Sequence, residues 1–585
     1  MSYDGIVTRS ILTQLLKEIK GGKIQKITQP SKNDIILNIY SRSKSFKLLL
    51  SANNSEARVH FTNRKFENPI TPPNFCMVLR KHLNQGKILN IEQNKLDRVL
   101  IFTISSIDEL GFNGEKKLIV EIMGKYSNII LTDENYKIID SIKRISDNIS
   151  SVRQVLPGFK YFFPKDDKFN ILDENFKEDI LYLDQKLKDS QNPKKLFYEF
   201  YTGLSPTFAK EICYISDIDT DLNWKLISED EKNRLNKNFH FFIEKIKKND
   251  FSPTLLRSEE KYKEFYAFNL KSTTYKNIKL DSMSEAIDMF FSFNQVHDRL
   301  RQIKNDLIKK INNSIKATKK KISILNDNIK KEDRITKNRK KGDLLSANVY
   351  NVKKGDKEVE VSDFYNDNKK IKITLDPKKD VWGNIDAYYK KSKKIKKSIE
   401  FAKNDLPKQL LEIKYLEQVS DFIERAYSID ELDDIREELE DNKIIKRKNQ
   451  KRNKIRNKKS KPIHYRTVNN SDIYIGKNSK QNDYLTLKMA NKDDYFLHVR
   501  NLAGSHVILK PNGNLKEEDI ISAAFLAAKH SSVKNDKIID VDYTLKKNVN
   551  KPKGAKLGMV YYENFKTISI DMDYDHEKNL QLISK

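Results

Sequence analysis

Two cysteines, Cys76 and Cys213, stand among 585 residues. That is too few for a disulfide framework or a four-cysteine zinc site, and it fits a reducing compartment. No run of about 18 apolar residues occurs, so no segment is expected to span a membrane. Met1 to Arg9 lacks the continuous apolar stretch of a signal peptide, and a cytosolic location is expected. Signatures of phosphate, metal and acyl-transfer chemistry are missing too: no GxxxxGK with Ser or Thr, no GxGxxG after a strand, no HExxH, no GxSxG. The nine histidines are scattered. His498 and His506 flank Gly504-Ser505, but no cysteine or carboxylate pair completes a metal site, which leaves them a structural or phosphate-contacting role. No catalytic side chain, metal or cofactor is expected.

What the chain has is positive charge. Lys+Arg total 111 against 82 Asp+Glu, a net charge of +29. Such a field attracts polyanions, and nucleic acid heads the list of expected partners. Lys, Asn and Ile are all abundant, as an AT-rich coding bias produces, so the placement of charge weighs more than its total.

The patterns divide the chain into an α+β multidomain protein. Residues 1–168 alternate short helices with strands: a helix over Ser10 to Ile19, strands at Lys23 to Thr28, Ile35 to Tyr40 and Ser45 to Leu50, then a helix from Pro72-Pro73 to Gly86. Arg80, Lys81 and His82 fall in that helix's last turns. Strands follow at Val99 to Ile104, Leu118 to Met123, Asn128 to Leu131 and Ile138 to Ile142. Residues 169–282 turn helical. Gly203-Leu204-Ser205-Pro206 reads there as a helix-hairpin-helix turn, whose amides often touch phosphate, or as a plain helical spacer. Residues 283–440 carry two heptad seams. Val296, Leu300, Ile303, Leu307, Ile311 and Ile315 begin one; Ile395, Ile399, Ala402, Leu406, Leu410, Ile413 and Leu416 form the other, interrupted by Pro407, where a kink is expected. This predicts a long antiparallel coiled-coil hairpin with a tip near 335–385, its arms on the order of 50 Å long at about 1.5 Å per residue. Residues 441–462 form a basic linker, with eleven Lys or Arg and no acid among the nineteen residues 443–461. It is expected to stay flexible and to grip phosphate through residues such as Lys448, Arg452 and Arg456. Residues 463–585 read as a compact C-terminal α+β domain.

Pattern alone assigns no chemistry to Asp97-Arg98, since the same dipeptide recurs at residues 298 and 333. Nor does it to Glu121-Ile122-Met123, which by itself looks like alternating strand with Glu121 and Met123 on one face. Taken in order, however, the motifs resemble the NFACT family across nearly the whole chain. They are Asp4-Gly5-Ile6-Val7-Thr8-Arg9; Pro72-Pro73-Asn74-Phe75-Cys76-Met77 with Leu79-Arg80-Lys81-His82-Leu83; Asp97-Arg98; Glu121-Ile122-Met123-Gly124-Lys125-Tyr126-Ser127-Asn128; Arg153 with Leu156-Pro157-Gly158; Gly342-Asp343-Leu344-Leu345; Asp376-Pro377 with Asn384; and Gly476-Lys477-Asn478, Asn482-Asp483, His498-Val499 and Gly504-Ser505-His506-Val507.

The resemblance implies a factor of ribosome-associated quality control. Such a protein binds the large ribosomal subunit, through its rRNA and ribosomal proteins, while peptidyl-tRNA remains on it. It recruits charged tRNA, tRNA-Ala in bacterial members, for template-free tailing of the nascent chain, and a small RqcP-like partner assists. By the same resemblance Asp97, Arg98, Glu121, Ile122 and Met123 engage tRNA, while Arg80, Lys81, His82, Lys125, Lys448, Arg452, Arg456, His498, Arg500 and His506 are candidates for RNA-backbone contact. Lys125-Tyr126 stands where many members have Arg-His, so no bidentate arginine contact is expected there. Tyr495-Phe496-Leu497-His498 likewise replaces a more usual Trp-Phe-His pattern. Two rival readings follow from the same family. One is a fibronectin-binding surface adhesin, a label some members carry. The other is a DNA glycosylase-like enzyme, to which the N-terminal block is related in fold; that chemistry needs an N-terminal proline and a following glutamate, where this chain has Ser2 and Tyr3.

Overall fold

The computed structural model describes residues 3–107, 113–148, 153–173, 176, 192–259, 261–447, 460–533, 536–574 and 576–584. The chain is a mixed α+β protein that divides into two compact units, residues 1–297 and 298–585. Among the described residues no helix is long and apolar enough to cross a membrane.

The first unit opens with α1 (Gly5–Ile19) and a four-stranded antiparallel meander of β1 (Lys23–Ser31), β2 (Asp34–Ser41), β3 (Lys44–Ser51) and β4 (Arg58–Phe61). The helix begins five residues before the expected Ser10, because Asp4 caps it: the Val7 amide donates to Asp4 Oδ1 at 2.9 Å. Next come α2 (Asn74–Leu83) and a second antiparallel sheet of β5 (Ile88–Gln93), β6 (Val99–Ile107), β7 (Asn113–Glu121), β8 (Asn128–Asp133) and β9 (Ile138–Ser141), paired in chain order. One continuous core joins α1, α2 and both sheets to α3 (Pro193–Phe200), α4 (Pro206–Ile215), α5 (Glu229–Lys247) and a small sheet of β10 (Thr254–Arg257), β11 (Tyr262–Tyr266) and β12 (Lys276–Lys279). The hairpin between α3 and α4 is part of that core. Gly203 O accepts from the Gly5 amide at 2.8 Å, so this turn carbonyl faces the protein.

In the second unit α6 (Met283–Ile329), which enters from the first, runs antiparallel to α8 (Val381–Arg425). Lys304 reaches Glu424 O, Lys321 pairs with Asp405 and Lys403 with Glu332, a descending register. Leu307 and Ile311 pack against Tyr415, Leu416, Val419, Phe422 and Ile423, together with α9 (Ile429–Asp441). Two seam assignments change. Val296 is exposed, and Leu410 faces solvent while half-buried Gln409 takes its place. The sequence 399, 402, 406, 409, 413, 416 therefore keeps its heptad steps through Pro407, and α8 continues past it. Between the arms, α7 (Asp333–Ala347) folds back on α8, with Ser392 donating to Ile335 O at 3.0 Å and Tyr389 to Asp343 at 2.7 Å. The hairpin of β13 (Glu358–Asp363) and β14 (Lys369–Thr374) follows. The family motifs here are structural: a Cβ on Gly342 would lie 2.9 Å from the Tyr389 ring, and Asn384 ties the Asp376 backbone down at 2.7 and 3.1 Å.

The C-terminal domain is a seven-stranded sheet of β15 (Ile463–Thr467), β16 (Asp472–Ile475), β17 (Tyr495–Val499), β18 (Val507–Lys510), β19 (Ile538–Leu545), β22 (Lys566–Asp571) and β23 (Leu580–Ser584), covered by α11 (Glu517–Lys529). The short helix α10 (Ser479–Tyr484) precedes β17, and β20 (Val549–Asn550) pairs with β21 (Tyr561–Tyr562) beside the sheet. It is fastened to the coiled-coil base by Arg425, which donates to Ser505 and His530, by Gln418 donating to Gly504 O at 3.3 Å, and by a 3.0 Å Lys477–Glu431 ion pair.

Candidate nucleic-acid interface

The turn between β5 and β6 carries Asp97 and Arg98. It is closed by Asn94 N to Val99 O at 3.0 Å and Asp97 N to Asn94 O at 2.9 Å. Its position comes from two glycines. A Cβ on either Gly5 or Gly203 would sit 1.8 Å from Leu96 O, so only glycine lets the start of α1 and the α3–α4 hairpin close on the turn; Gly203 also needs φ +76°. Gln93 Nε2 adds bonds to Gly5 O at 2.9 Å and Asp97 O at 2.8 Å. Beneath the turn lies Asp4, fully buried and accepting from Ser205 at 2.6 Å and Tyr266 at 2.8 Å. Burial raises its carboxyl pKa, opposed by those hydrogen bonds and by the charge of Arg98.

On this platform the Asp97 side chain is 13% exposed and that of Arg98 35%. Asp97 Oδ1 accepts from the Arg98 amide at 2.7 Å but stands 4.0 Å from Arg98 Nε. The guanidinium keeps its planar donor fork available for a phosphate or a base edge. Burial pushes the Asp97 carboxyl up, helped by Asp166 and opposed by Arg98 and Lys168. Asp166, which accepts from Thr202 at 2.5 Å, and Lys168, which donates to Tyr198 O, complete a polar patch that the motif reading had not included. Only the fold brings them beside residue 97.

Arg98 O accepts from Ile122 N at 2.9 Å, which places the second motif beside the first. Its members do different work from the one expected. Glu121 is buried and receives both arms of Arg153, at 2.5 and 3.1 Å, and the Tyr161 hydroxyl at 2.8 Å. Ile122 is wholly buried. Direct contact with RNA by either is therefore corrected to support from within. Met123 is half-buried and packs against the apolar cluster that includes Val99, Ile119 and Tyr161; Lys125 is exposed, its ammonium 4.8 Å from the Tyr126 ring.

The backbone-contact candidates also sort by position. Arg80 spends its Nε on Ile27 O at 2.9 Å, with Lys81 exposed and His82 half-buried beyond it. Lys448, Arg452 and Arg456 lie outside the described residues. Arg500 is exposed. His506 is buried, bonded to Thr486 at 2.7 Å, and burial pushes its pKa down to about 3; half-buried His498 is lowered for the same reason. Both are neutral at pH 7, and of the two roles expected for them buried His506 takes the structural one.

The profile described as "NFACT N-terminal and middle domains" matches residues 4–459, and "NFACT protein RNA binding domain" matches residues 461–564. The chain belongs to the NFACT family. Among NFACT relatives, it is 36% identical over 581 residues to "Rqc2 homolog RqcH" of Bacillus subtilis (strain 168), covering 98% of this chain and 99% of that one. It is 25% identical over 151 residues to human "Ribosome quality control complex subunit NEMF", covering 26% of this chain and 13% of that protein. A solved structure, the N-terminal part of the fibronectin/fibrinogen-binding protein from Streptococcus suis, aligns at TM-score 0.41 with 33% identity over 50% of this chain and 99% of that one. In this NFACT chain, then, Asp4, Gly5, Glu121, Arg153, Gly342 and Asn384 build the scaffold, while Arg98 is partly exposed and Lys125 exposed.

Proposed function

We propose that this protein acts in ribosome-associated quality control. It binds a stalled large ribosomal subunit that still carries peptidyl-tRNA and recruits charged tRNA, alanyl-tRNA in the first instance, so that the nascent chain grows at its C-terminus without a template and is marked for degradation. The observation that carries this reading is the end-to-end likeness to the Bacillus subtilis RqcH, together with the ribosome quality control named for the human relative. The site geometry suits a positioning role: a partly exposed guanidinium fixed to a buried scaffold can hold an RNA phosphate or base edge in place. Peptide-bond formation is left to the ribosome, and the factor supplies orientation and local concentration of tRNA.

The test is Asp97→Ala combined with Arg98→Ala, read by C-terminal tailing in cells and by sedimentation with the large subunit. The expected result is loss of tails with subunit binding retained. Tails at wild-type level would refute the assignment of this pair.

A further inference from the structure

Asn478 belongs to a motif, Gly476-Lys477-Asn478, that the tRNA site leaves unused. Local packing fixes where it stands. A Cβ on Gly476 would lie 2.1 Å from Asn482 Oδ1, so a glycine lets α10 fold back on the end of β16, and the 3.0 Å Lys477–Glu431 ion pair holds that turn against α9. Asn478 lines a cavity of about 620 Å³ bounded by α9, the β15–β16 pair and α10, a size that admits one nucleotide.

Three observations bear on what fills it. Asn478 is only 2% exposed, and its Oδ1 accepts from the Gln481 amide at 2.8 Å; no described group accepts from its Nδ2, which is not sealed from solvent and opens on the cavity that the residue lines. A donor set deep in a cavity and unclaimed by the protein is available to a ligand. Next, the wall beside it is aromatic. His464 and Tyr474 stand directly opposite each other on β15 and β16 and stack at 4.4 Å and 14°, with His464 held by Asp472 at 2.9 Å, and half-exposed Tyr484 adds another ring. Finally, an acceptor and a cation are free to meet a ligand. Asp434 is engaged by Ser460, but the Glu437 carboxylate has only a loose 3.7 Å contact with Lys480, which stands nearer Asp441 at 3.0 Å, and Lys461 is exposed at the mouth.

We propose that this cavity reads a single unpaired guanine of a bound RNA. The guanine edge offers two adjacent N–H groups, on N1 and N2, to the Glu437 carboxylate and its O6 carbonyl to Asn478 Nδ2, while the ring lies against the aromatic wall and the phosphate meets Lys461. Adenine and cytosine present one amino group on that edge and uracil one N–H, so none of them engages both carboxylate oxygens. The inference rests on the RNA-binding reading and adds a base-selective site to it, within the part of the chain that borders and enters the RNA-binding domain.

The experiment uses the full chain and fluorescein-labelled uridine oligonucleotides carrying one central guanosine, inosine or adenosine, with Kd read by fluorescence anisotropy at one fixed salt concentration. Asn478→Asp keeps an oxygen to cap the Gln481 amide and replaces the donor with an acceptor; Glu437→Gln and Tyr484→Ala complete the set. The guanosine strand should bind about tenfold tighter than the adenosine strand, the low end of what a bidentate base contact provides. Inosine, which lacks the 2-amino group, should fall between them. Asn478→Asp and Glu437→Gln should each reduce the preference about three- to tenfold, the worth of one hydrogen bond. Tyr484→Ala should weaken all three strands alike, as loss of a stacking surface does. Glu437 and Tyr484 are partly exposed, so their variants report even if Asn478→Asp folds poorly. Equal affinity for the guanosine and adenosine strands, or a preference unchanged in both Asn478→Asp and Glu437→Gln, would overturn the site; a tRNA transcript that still binds wild type and is lost by the Asp97→Ala, Arg98→Ala pair would leave the tRNA reading intact. Binding of neither RNA by the wild-type protein would overturn both. Guanosine monophosphate binding as tightly as the guanosine strand would make this a free-nucleotide site and overturn the RNA assignment.

Discussion

At the scale of single residues, several motif positions that invite a functional reading turn out to be internal supports. Glu121 is the clearest case. Its buried carboxylate balances the partly exposed guanidinium of Arg153 in a two-pronged ion pair, and removing one partner of such a pair strands the other charge. Glu121→Ala should cost about 3–5 kcal/mol of stability. Adding Arg153→Ala should recover part of that loss, since the two act as a unit. Urea unfolding of the two single variants and the double variant checks this, and strictly additive costs would contradict it. His506 makes a pH-dependent prediction. The folded protein holds its pKa down to about 3, against 6.5 ordinarily. The unfolded chain therefore binds the proton first. The histidine's contribution is fully present above about pH 6.5 and is lost as pH falls toward 3, by up to about 1.4 kcal/mol per unit. The unfolding midpoint of the C-terminal domain should drop from pH 7 to 4, and His506→Gln should flatten that drop; an unchanged slope would show that other groups dominate. None of this was visible in the sequence, because the identity of a motif residue does not reveal whether it faces solvent or its own scaffold.

At the scale of elements, periodicity was informative. The meander of β1 to β3, the helix α2 and the two coiled-coil arms all follow from alternation or heptad spacing. The exceptions have local causes. Asp4 moves the start of α1 five residues upstream by capping it, and Gln409 occupies a seam position that hydrophobicity had given to Leu410. Neither long-range closure at Gly5 and Gly203 nor the meeting of residue 97 with Asp166 and Lys168 has a signal in spacing, since each joins segments tens of residues apart. The glycine closure is testable. In Gly203→Ala a methyl group would collide with Leu96 O at a residue held at positive φ, so the cost should exceed the roughly 1–3 kcal/mol that such a backbone conformation brings by itself. It should also shift the turn that aims Arg98. We expect tRNA binding to fall as in the Asp97/Arg98 pair although neither residue is changed; wild-type affinity in a folded Gly203→Ala protein would show that the turn is aimed by something else.

At the scale of the whole molecule, a strongly basic chain combines an N-terminal unit whose β5–β6 turn presents Arg98 with a C-terminal domain matching an RNA-binding family. Composition pointed to nucleic acid and the ordered motifs to the family. Which motif residues face solvent and which face the protein's interior required the fold. The most direct measurement is to purify the tagged protein from its own cells after mild crosslinking and sequence the RNA that accompanies it. The account predicts large-subunit rRNA and tRNA, with alanine isoacceptors enriched and small-subunit rRNA depleted. Unselected RNA, or none, would contradict it.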